Sequence, residues 1–231
     1  MKSEPALWVV LPAYNEAAAI HGVIEEWVLA LRKLGAAFLV MAINDGSTDD
    51  TAAILDQISY PELRVWHRQN VGHGPSCRFG YQTAVEQGAK WVLQIDSDGQ
   101  CDPVFFAKFW AARTTVVFGC RVKRDDGFSR WLISRAVSLV VLLHTGRWIK
   151  DANVPYRLIR ADRLQSVLPQ LPKNAFFTNV LLSCMLAKEI NWLPIRFRKR
   201  AGGSSTIKPN ALILFASQLS QELRALKTAK T

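Results

Sequence analysis

Short apolar runs alternate with amphipathic stretches in the first hundred residues, and this alternation constrains the fold more than any other feature. Apolar runs begin at residues 7, 37, 63 and 90, and helical spacing follows the first three of them. In the first helical stretch Ile20, Val23, Ile24 and Trp27 share one face. Strands that are apolar throughout and alternate with helices of about 10–15 residues are typical of parallel sheets covered on both faces. We therefore predict an α/β fold with a mostly parallel sheet.

The pattern is looser after residue 103 but remains readable. We predict a strand at 115–122, a helix at 128–150, a loop and strand at 151–160, a helix at 175–188, a strand at 191–200 and a helix at 211–227. With 231 residues, 49% of them hydrophobic, the chain is long enough to bury one substantial core. We predict a single domain spanning residues 1–231.

Polar clusters follow each of the first four predicted strands. They are Asn15 with Glu16, residues 45–49, residues 70–78 and residues 96–100. Ligands of such sheets bind outside the carboxyl ends of the strands, where these clusters would meet. A single polar residue after a strand often caps a helix, which is the alternative for Ser47, Thr48 and Asp49. Four clusters on one edge favour a binding site.

The segment VLQIDSDGQCDP, residues 92–103, places two acids one residue apart after a buried strand. Asp96, Asp98 and Gln100 together form an all-oxygen set, and Mg²⁺ prefers oxygen ligands, with substrate phosphates filling other positions. Asp and Gly are common in turns, so the placement after the strand is what indicates a metal–diphosphate site. Neither GxxxxGK[ST] nor a GxGxxG after the first strand occurs, which argues against a P-loop and a dinucleotide fingerprint.

The formal net charge of +10 predicts attraction to polyanions, which could be nucleic acid, phosphorylated substrates or an anionic membrane. Nucleic acid is disfavoured because the basic residues cluster around 121–150 and 196–208 and no recognition motif is found. The four cysteines include no CxxC pair, which argues against a zinc site or a disulfide framework and favours a reducing compartment.

Membrane contact is expected without a membrane span. The most apolar segment, residues 136–146, is shorter than the roughly 20 residues that a spanning helix needs, and no signal peptide is recognised. Residues 128–150 mix aliphatic and aromatic residues with arginines, as interfacial helices do, although a core helix with basic ends has the same pattern. The helix at 211–227 could dock on membrane, on a membrane partner protein or on the domain itself. We expect a cytoplasmic protein that is peripheral on the cytoplasmic membrane face.

Four stretches carry a resemblance to a known family. In this order, VVLPAYNEAAAI (9–20), INDGSTDDT (43–51), residues 70–103 and GCRV (119–122) resemble the inverting glycosyltransferases of family 2. The closest likeness is to the branch of dolichol-phosphate mannose synthase and bacterial polyprenyl-phosphate glycosyltransferases, and it covers roughly residues 7–205. The resemblance implies a GT-A fold with a Rossmann-like nucleotide-binding half, a nucleotide-diphosphate sugar as donor, and Mg²⁺ or Mn²⁺ as cofactor.

The resemblance also implies roles for individual residues. Those that would contact the nucleotide sugar are Pro12, Ala13, Tyr14, Glu16, Asp45, Gly46, Arg78, Asp96 and Ser97. Those that would hold the metal are Asp96, Asp98 and Gln100. Those that would take part in catalysis are Asp98, Arg121 and Arg135. Those that would bind an acceptor phosphate are Arg121, Arg135, Arg157, Arg200 and Lys208.

The chain departs from the family pattern at several positions. Asn44 replaces an acid, Cys120 a serine and Pro155 a glycine, and residues 176–183 contain no acid where many relatives carry one. A hydroxyl acceptor requires a carboxylate base, whereas a phosphate acceptor is already an anion and requires cations. We therefore predict transfer to a polyprenyl phosphate.

Two other functions remain as alternatives. The first is transfer to a hydroxyl of a cell-envelope glycan or lipid, with Asp125, Asp126 or Asp151 as the base. The second is a catalytically silent module that binds nucleotide or membrane.

Overall fold

Seven strands form one sheet in the computed structural model, which describes residues 5–123, 128–200 and 212–228. The strands are β1 (Leu7–Ala13), β2 (Phe38–Asp45), β3 (Leu63–Arg68), β4 (Trp91–Ile95), β5 (Val116–Lys123), β6 (Tyr156–Arg160) and β7 (Ile190–Arg196). Their order is β3-β2-β1-β4-β6-β5-β7. Only β6 runs against its neighbours, β4 and β5, and the other pairings are parallel. The prediction of a mostly parallel sheet is confirmed.

The described helices are α1 (Ile20–Arg32), α2 (Thr51–Gln57), α3 (His73–Glu86), α4 (Phe106–Ala111), α5 (Phe128–Thr145), α6 (Ala161–Val167), α7 (Thr178–Leu186) and α8 (Leu212–Thr228). The helix predicted at 128–150 ends at Thr145, because Gly146 has a φ of 66° and turns the chain as helix-ending glycines do. Among the described residues, no helix has the length and apolarity needed to cross a membrane.

Helices cover both faces of the sheet. On one face α3 lies so close to the sheet that a Cβ at Gly80 would come within 2.3 Å of Val10 Cγ1. On the other face the Trp27 ring of α1 lies 5.9 Å from the ring of Phe106 and 5.7 Å from that of Tyr156. The residues of β1 and β2 are therefore all buried, which explains why these strands are apolar except for Asn44 and Asp45 at the end of β2.

The loops after β1 and β2 are joined by hydrogen bonds between backbone and side chains. Asn15 N donates to Ser47 Oγ (3.0 Å), and Ala17 N donates to Asp49 Oδ2 (3.2 Å). Asp49 Oδ1 also accepts from Thr51 N (3.0 Å) at the start of α2, so this acid serves the helix end as well. Burial raises the pKa of Asp49, but the hydrogen bonds from Thr51 and Ala17 outweigh this effect, and the pKa is lowered. The polar residues of this cluster thus hold two loops together at the carboxyl edge of the sheet.

Candidate active site

An open cavity of about 250 Å³ lies where β1 and β2 end. Its lining residues are Pro12, Ala13, Tyr14, Asp45, Asn70, Gly72 and His73. The structure therefore brings together four of the residues that the family resemblance assigns to the nucleotide sugar. The other three come from the polar cluster at residues 70–78, in which only Arg78 had been singled out.

Asp45 is buried at the base of this cavity and fixed by three hydrogen bonds. Its Oδ1 accepts from Val71 N (3.1 Å) and Ser76 Oγ (2.7 Å), and its Oδ2 accepts from Gly72 N (2.9 Å). The carboxylate therefore joins the end of β2 to the start of α3. Gly46, which follows, has a φ of 69°, and a Cβ there would come within 2.6 Å of Asn70 N. Glycine is required at this position by close packing of the loop.

Asn44, which stands where the family pattern has an acid, is buried and engaged within the protein. Its Oδ1 accepts from Ser47 N (3.1 Å), and its Nδ2 lies 3.0 Å from His67 Nδ1. The amide can donate and accept at once, whereas a carboxylate only accepts. Asn44 therefore holds the turn after β2 against β3.

Asp96 lies beside the cavity, at the end of β4. Its Oδ1 is 3.0 Å from His73 Nε2 and accepts from Gln94 Nε2 at 3.1 Å. Burial lowers the pKa of His73, but contacts with Cys77 and Asp96 outweigh it, and the pKa is raised well above its ordinary value. Ser97 Oγ donates to the Pro12 carbonyl (2.9 Å), which attaches this loop to the end of β1.

Asp98 and Glu16 both approach Arg200. Asp98 Oδ2 lies 3.9 Å from Arg200 Nε, and Glu16 Oε1 forms an ion pair with Arg200 Nη2. Burial raises the pKa of Glu16 and outweighs the opposite effect of Arg200. Three side chains named from the sequence therefore meet here, although they come from three separate loops.

Gln100 is buried and tethers the segment after β7. Its Nε2 donates to the Arg198 carbonyl (3.1 Å), while Arg198 N donates to the Gln100 carbonyl (3.1 Å). This contact was not foreseen from the sequence, because it joins residues 98 positions apart. The role of Gln100 as a metal ligand stays a prediction.

The acids after β4 suit a divalent cation bound together with a substrate. Across residues 5–123, 128–200 and 212–228, no group of three or more His, Cys, Asp or Glu side chains could hold a metal ion. Mg²⁺ commonly uses only one or two protein carboxylates and takes its other oxygens from phosphates and water. The chemistry of Asp96 and Asp98 suffices for a cation that takes its remaining oxygens from a diphosphate, and their role as metal ligands stays a prediction.

Arg121 is paired with an acid close to the end of β5. Its Nε and Nη2 donate to Asp151 Oδ2 and Oδ1 at 2.8 and 2.6 Å, in the two-pronged geometry that arginine favours with carboxylates. Arg135, on α5, lies with its Cζ 5.9 Å from the ring centroid of Trp148. The predicted contact of each arginine with an acceptor phosphate stays a prediction.

Arg157 requires a correction, because it cannot bind an acceptor phosphate in this position. Its relative exposure is 0%, and the N–H groups of its guanidinium donate to acceptors within the protein. These are the carbonyls of Val154 (2.6 Å), Ala152 (2.7 Å) and Asn179 (2.7 Å) and the Ser183 hydroxyl (2.9 Å). Burial lowers the pKa of Arg157. The side chain instead fastens the loop before β6 to α7.

Arg78 and Lys208 complete the comparison with the predicted site. Arg78 Nη1 donates to the carbonyls of Leu171 (3.0 Å) and Pro172 (3.3 Å), and burial lowers its pKa. Its predicted contact with the nucleotide stays a prediction. Lys208, Asp125 and Asp126 lie outside the described residues.

Comparison with curated proteins finds relatives over most of the chain. The protein of Pectobacterium carotovorum subsp. carotovorum (strain PC1) described as undecaprenyl-phosphate 4-deoxy-4-formamido-L-arabinose transferase is 26% identical over 204 residues. The match covers 85% of this chain and 61% of that protein. The protein of Pectobacterium atrosepticum with the same description is 27% identical over the same shares. The chain thus spans about three fifths of the length of these relatives.

Solved structures show the same fold at lower identity. Glucosyl-3-phosphoglycerate synthase from Mycobacterium tuberculosis, in complex with Mn²⁺, UDP-glucose and glycerol 3-phosphate, superposes with a TM-score of 0.61 at 18% identity. This match covers 99% of our chain and 81% of that one. Mannosyl-3-phosphoglycerate synthase from Rubrobacter xylanophilus superposes with a TM-score of 0.64 at 12% identity, over 96% and 74% of the two chains. The architecture is therefore the GT-A fold.

One family model matches most of the chain. The model described as glycosyl transferase family 2 matches residues 8–186, which include β1 from its second residue, β2 to β6 and every described residue that lines the cavity. The chain belongs to glycosyl transferase family 2.

Proposed function

We propose that the protein is an inverting, metal-dependent glycosyltransferase that moves a sugar from a nucleotide-diphosphate sugar to a polyprenyl phosphate. The observation that carries this proposal is that His73, which lines the Asp45 cavity, contacts Asp96 at the end of β4, two residues before Asp98. The names of the curated relatives, which act on undecaprenyl phosphate, support the acceptor class. The solved neighbour with Mn²⁺ and UDP-glucose supports the donor class and the metal.

The cavity would receive the nucleoside end of the donor. Pro12, Ala13 and Tyr14 form an apolar wall, and Asp45 offers a carboxylate whose position is fixed from the interior. The diphosphate would then lie towards Asp96 and Asp98, which would hold the metal. A divalent cation bound there supplies positive charge that offsets the charge of the departing nucleoside diphosphate.

The described carboxylates near α7 and the end of β5 are engaged within the protein. Glu222 of α8 accepts from Phe176 N (2.9 Å) and Phe177 N (3.0 Å), just before α7. The start of α7 carries Asn179, whose amide is engaged with Tyr81 and Gln94. Asp151, the remaining described candidate for a base, is held by the Arg121 guanidinium. A phosphate oxygen attacks as an anion and needs no base, but it does need cations. We assign this task to Arg121, Arg135 and Arg200.

The surface formed by α5 and α8 suits the membrane that contains such an acceptor. Leu139, Leu143 and Trp148 are 52%, 74% and 52% exposed, and Leu214 of the adjoining α8 is 72% exposed. Arg135 and Arg147 are exposed on the same segment, and residues 128–150 contain no acid. Apolar side chains among basic ones are typical of surfaces that bind anionic lipid. We propose peripheral attachment there, on the cytoplasmic face.

Transfer assays with two acceptors test the proposed reaction. A thermal-shift panel of sugar nucleotides with Mn²⁺ first selects the donor, because a bound ligand stabilises the folded state. The protein is then incubated with that labelled donor and either undecaprenyl phosphate or an alkyl glycoside, and the anomer of the product is determined. We expect labelled lipid of inverted configuration, formed only when a divalent metal is present. Label in the glycoside alone would contradict the phosphate acceptor, and retained configuration would contradict the mechanism.

A further inference from the structure

A row of hydrogen-bonded side chains runs through the interior and ends on Asp96. Tyr81 Oη donates to Asn179 Oδ1 (2.9 Å), Asn179 Nδ2 donates to Gln94 Oε1 (3.1 Å), and Gln94 Nε2 donates to Asp96 Oδ1 (3.1 Å). The first three residues are buried and belong to α3, α7 and β4. Burying two amides and a phenol is costly unless each is hydrogen-bonded, and this row satisfies all three.

The row has one direction, which is set by the residue at its end. An ionised carboxylate only accepts hydrogen bonds, so Gln94 must present its Nε2 to Asp96 and its Oε1 to Asn179. Asn179 must then donate through Nδ2, which leaves its Oδ1 for the Tyr81 hydroxyl. Burial raises the pKa of Tyr81 well above its ordinary value, so the phenol keeps its proton. Turning either amide over would place two acceptors against each other.

The row is also anchored at its middle. The Asn179 carbonyl accepts from Arg157 Nη1 (2.7 Å) and from Ser183 Oγ (3.0 Å), which fixes the backbone from which the Asn179 side chain projects. Arg157, which is buried and does not reach the acceptor phosphate, thereby fixes the start of α7. The anchored part of the row is entirely in the interior, while Asp96 alone is partly exposed.

We propose that Gln94 and Asn179 are positioning residues that hold Asp96 in the orientation in which it binds the metal and the nucleotide diphosphate. The inference rests on the proposed function of Asp96. The row fixes Oδ1 from the interior, and His73 contacts the same oxygen from the side of the cavity. Groups that orient a metal-binding carboxylate typically change metal affinity by about 10–100-fold when they are removed.

Calorimetric titration with UDP and with GDP, each with and without Mn²⁺, tests this inference. For the nucleotide that binds more tightly, the dissociation constant without Mn²⁺ is divided by the dissociation constant with Mn²⁺. This ratio, the enhancement by Mn²⁺, is compared between variants. Gln94→Leu keeps the size of the side chain and removes both amide functions. We expect it to reduce the enhancement by Mn²⁺ about 10-fold and to leave metal-free binding in the Asp45 cavity unchanged. Tyr81→Phe, which removes only the outermost hydroxyl, should cause a smaller loss in the same direction.

Thr178→Val is the matched control. Thr178 is buried beside Asn179 and donates to the Ala175 carbonyl (2.9 Å), so its replacement removes one interior hydrogen bond outside the row. It should keep the full enhancement by Mn²⁺. Should Gln94→Leu fail to fold by circular dichroism, Tyr81→Phe decides the matter.

The outcomes separate the inference from the proposed function. A folded Gln94→Leu protein with the enhancement of the wild type would overturn the role of the row and leave the metal site standing. Equal losses in Gln94→Leu and Thr178→Val would also overturn it, because general loosening of the core would then explain both. A wild-type protein that binds neither nucleotide would overturn the proposed function and this inference with it.

Discussion

Asp98, Glu16 and Arg200 come from three loops, yet the fold places the two acids at one guanidinium. Asp98 has a second contact, because its Oδ1 accepts from Gln100 N at 3.1 Å. An asparagine could make the same hydrogen bond through its own Oδ1 but would carry no charge. The position therefore allows charge to be removed with little change in shape.

Asp98→Asn should reduce turnover at least about 100-fold, because the residue that we assign to the metal would lose its charge. The measurement is turnover at several Mn²⁺ concentrations, with the melting temperature followed in parallel. Asp102→Asn is the control, since Asp102 lies in the same loop and pairs with Arg198 at 2.8 Å. A folded Asp98→Asn protein with near-normal turnover would remove the metal from the proposed mechanism.

Which residues lie at the site could be predicted where a family motif specifies them, and less well where orientation decides. Pro12, Ala13, Tyr14 and Asp45, which the family motifs assign to the nucleotide sugar, line one cavity, and their contact with a nucleotide stays a prediction. Arg157, predicted to bind an acceptor phosphate, is buried instead, because it lies opposite Gln94 in a sheet whose faces are covered by helices. A motif gives the residue type, but only the packed neighbours show that the side chain points into the core.

At the scale of elements, α3 depends on small residues for its position. A Cβ at Gly74 would come within 2.1 Å of the Phe176 carbonyl oxygen and 2.5 Å of that of Ala175. Both atoms belong to backbone, which cannot move aside as a flexible side chain can. The start of α3, which supplies His73 to the cavity, therefore rests directly on the segment before α7.

Gly74→Ala should lower the free energy of unfolding by about 1–3 kcal/mol, because the added methyl group forces backbone apart. Gly22→Ala is the matched control in a helix, because a Cβ there would meet nothing within 4 Å. It should raise the free energy of unfolding by about 0.5–1 kcal/mol, since glycine weakens helices relative to alanine. Urea denaturation of both variants is the measurement, and equal midpoints for the two would contradict this account of the packing.

Element prediction succeeded for long periodic stretches and for the short α2, which follows a strand in the repeating pattern, but missed two other short helices. The helical face of Ile20, Val23, Ile24 and Trp27 is buried as the spacing indicated. The helices α4 and α6, of 6 and 7 residues, were not predicted. Two turns of helix show little of a 3.6-residue period, and α4 and α6 lie after residue 103, where the alternation of strands and helices is less regular.

For the whole molecule, the net charge of +10 and the exposed apolar residues of α5 would both favour the proposed partner, an anionic membrane. We predict binding to vesicles that contain anionic lipid, weakened by salt because salt screens the attraction. Replacing Leu139 and Leu143 together by Asp should reduce co-sedimentation with these vesicles strongly. Leu29→Asp, at a position of α1 with 48% exposure, should have little effect. Equal binding of wild-type protein to zwitterionic vesicles would contradict the role of charge.

The sequence predicted a mostly parallel sheet but not the order of its strands. Apolar runs identify strands, and helices between them indicate parallel pairing. The direction of β6 is not visible in its sequence, because an apolar strand reads the same whichever way it is paired. Its placement beside β4 depends on pairing between residues that are more than 60 positions apart in the sequence.

The reversal of β6 has a spatial consequence for the edge where the acids lie. Six strands leave the sheet at that edge, whereas β6 enters it there, so the loop of Asp151 joins theirs. As a spacer, β6 keeps the ends of β4 and β5 two strand widths apart, about 10 Å. Two anionic reactants, one bound through a cation to Asp96 and Asp98 and the other bound to Arg121, would thus occupy separate positions. The sugar would pass across the gap between them.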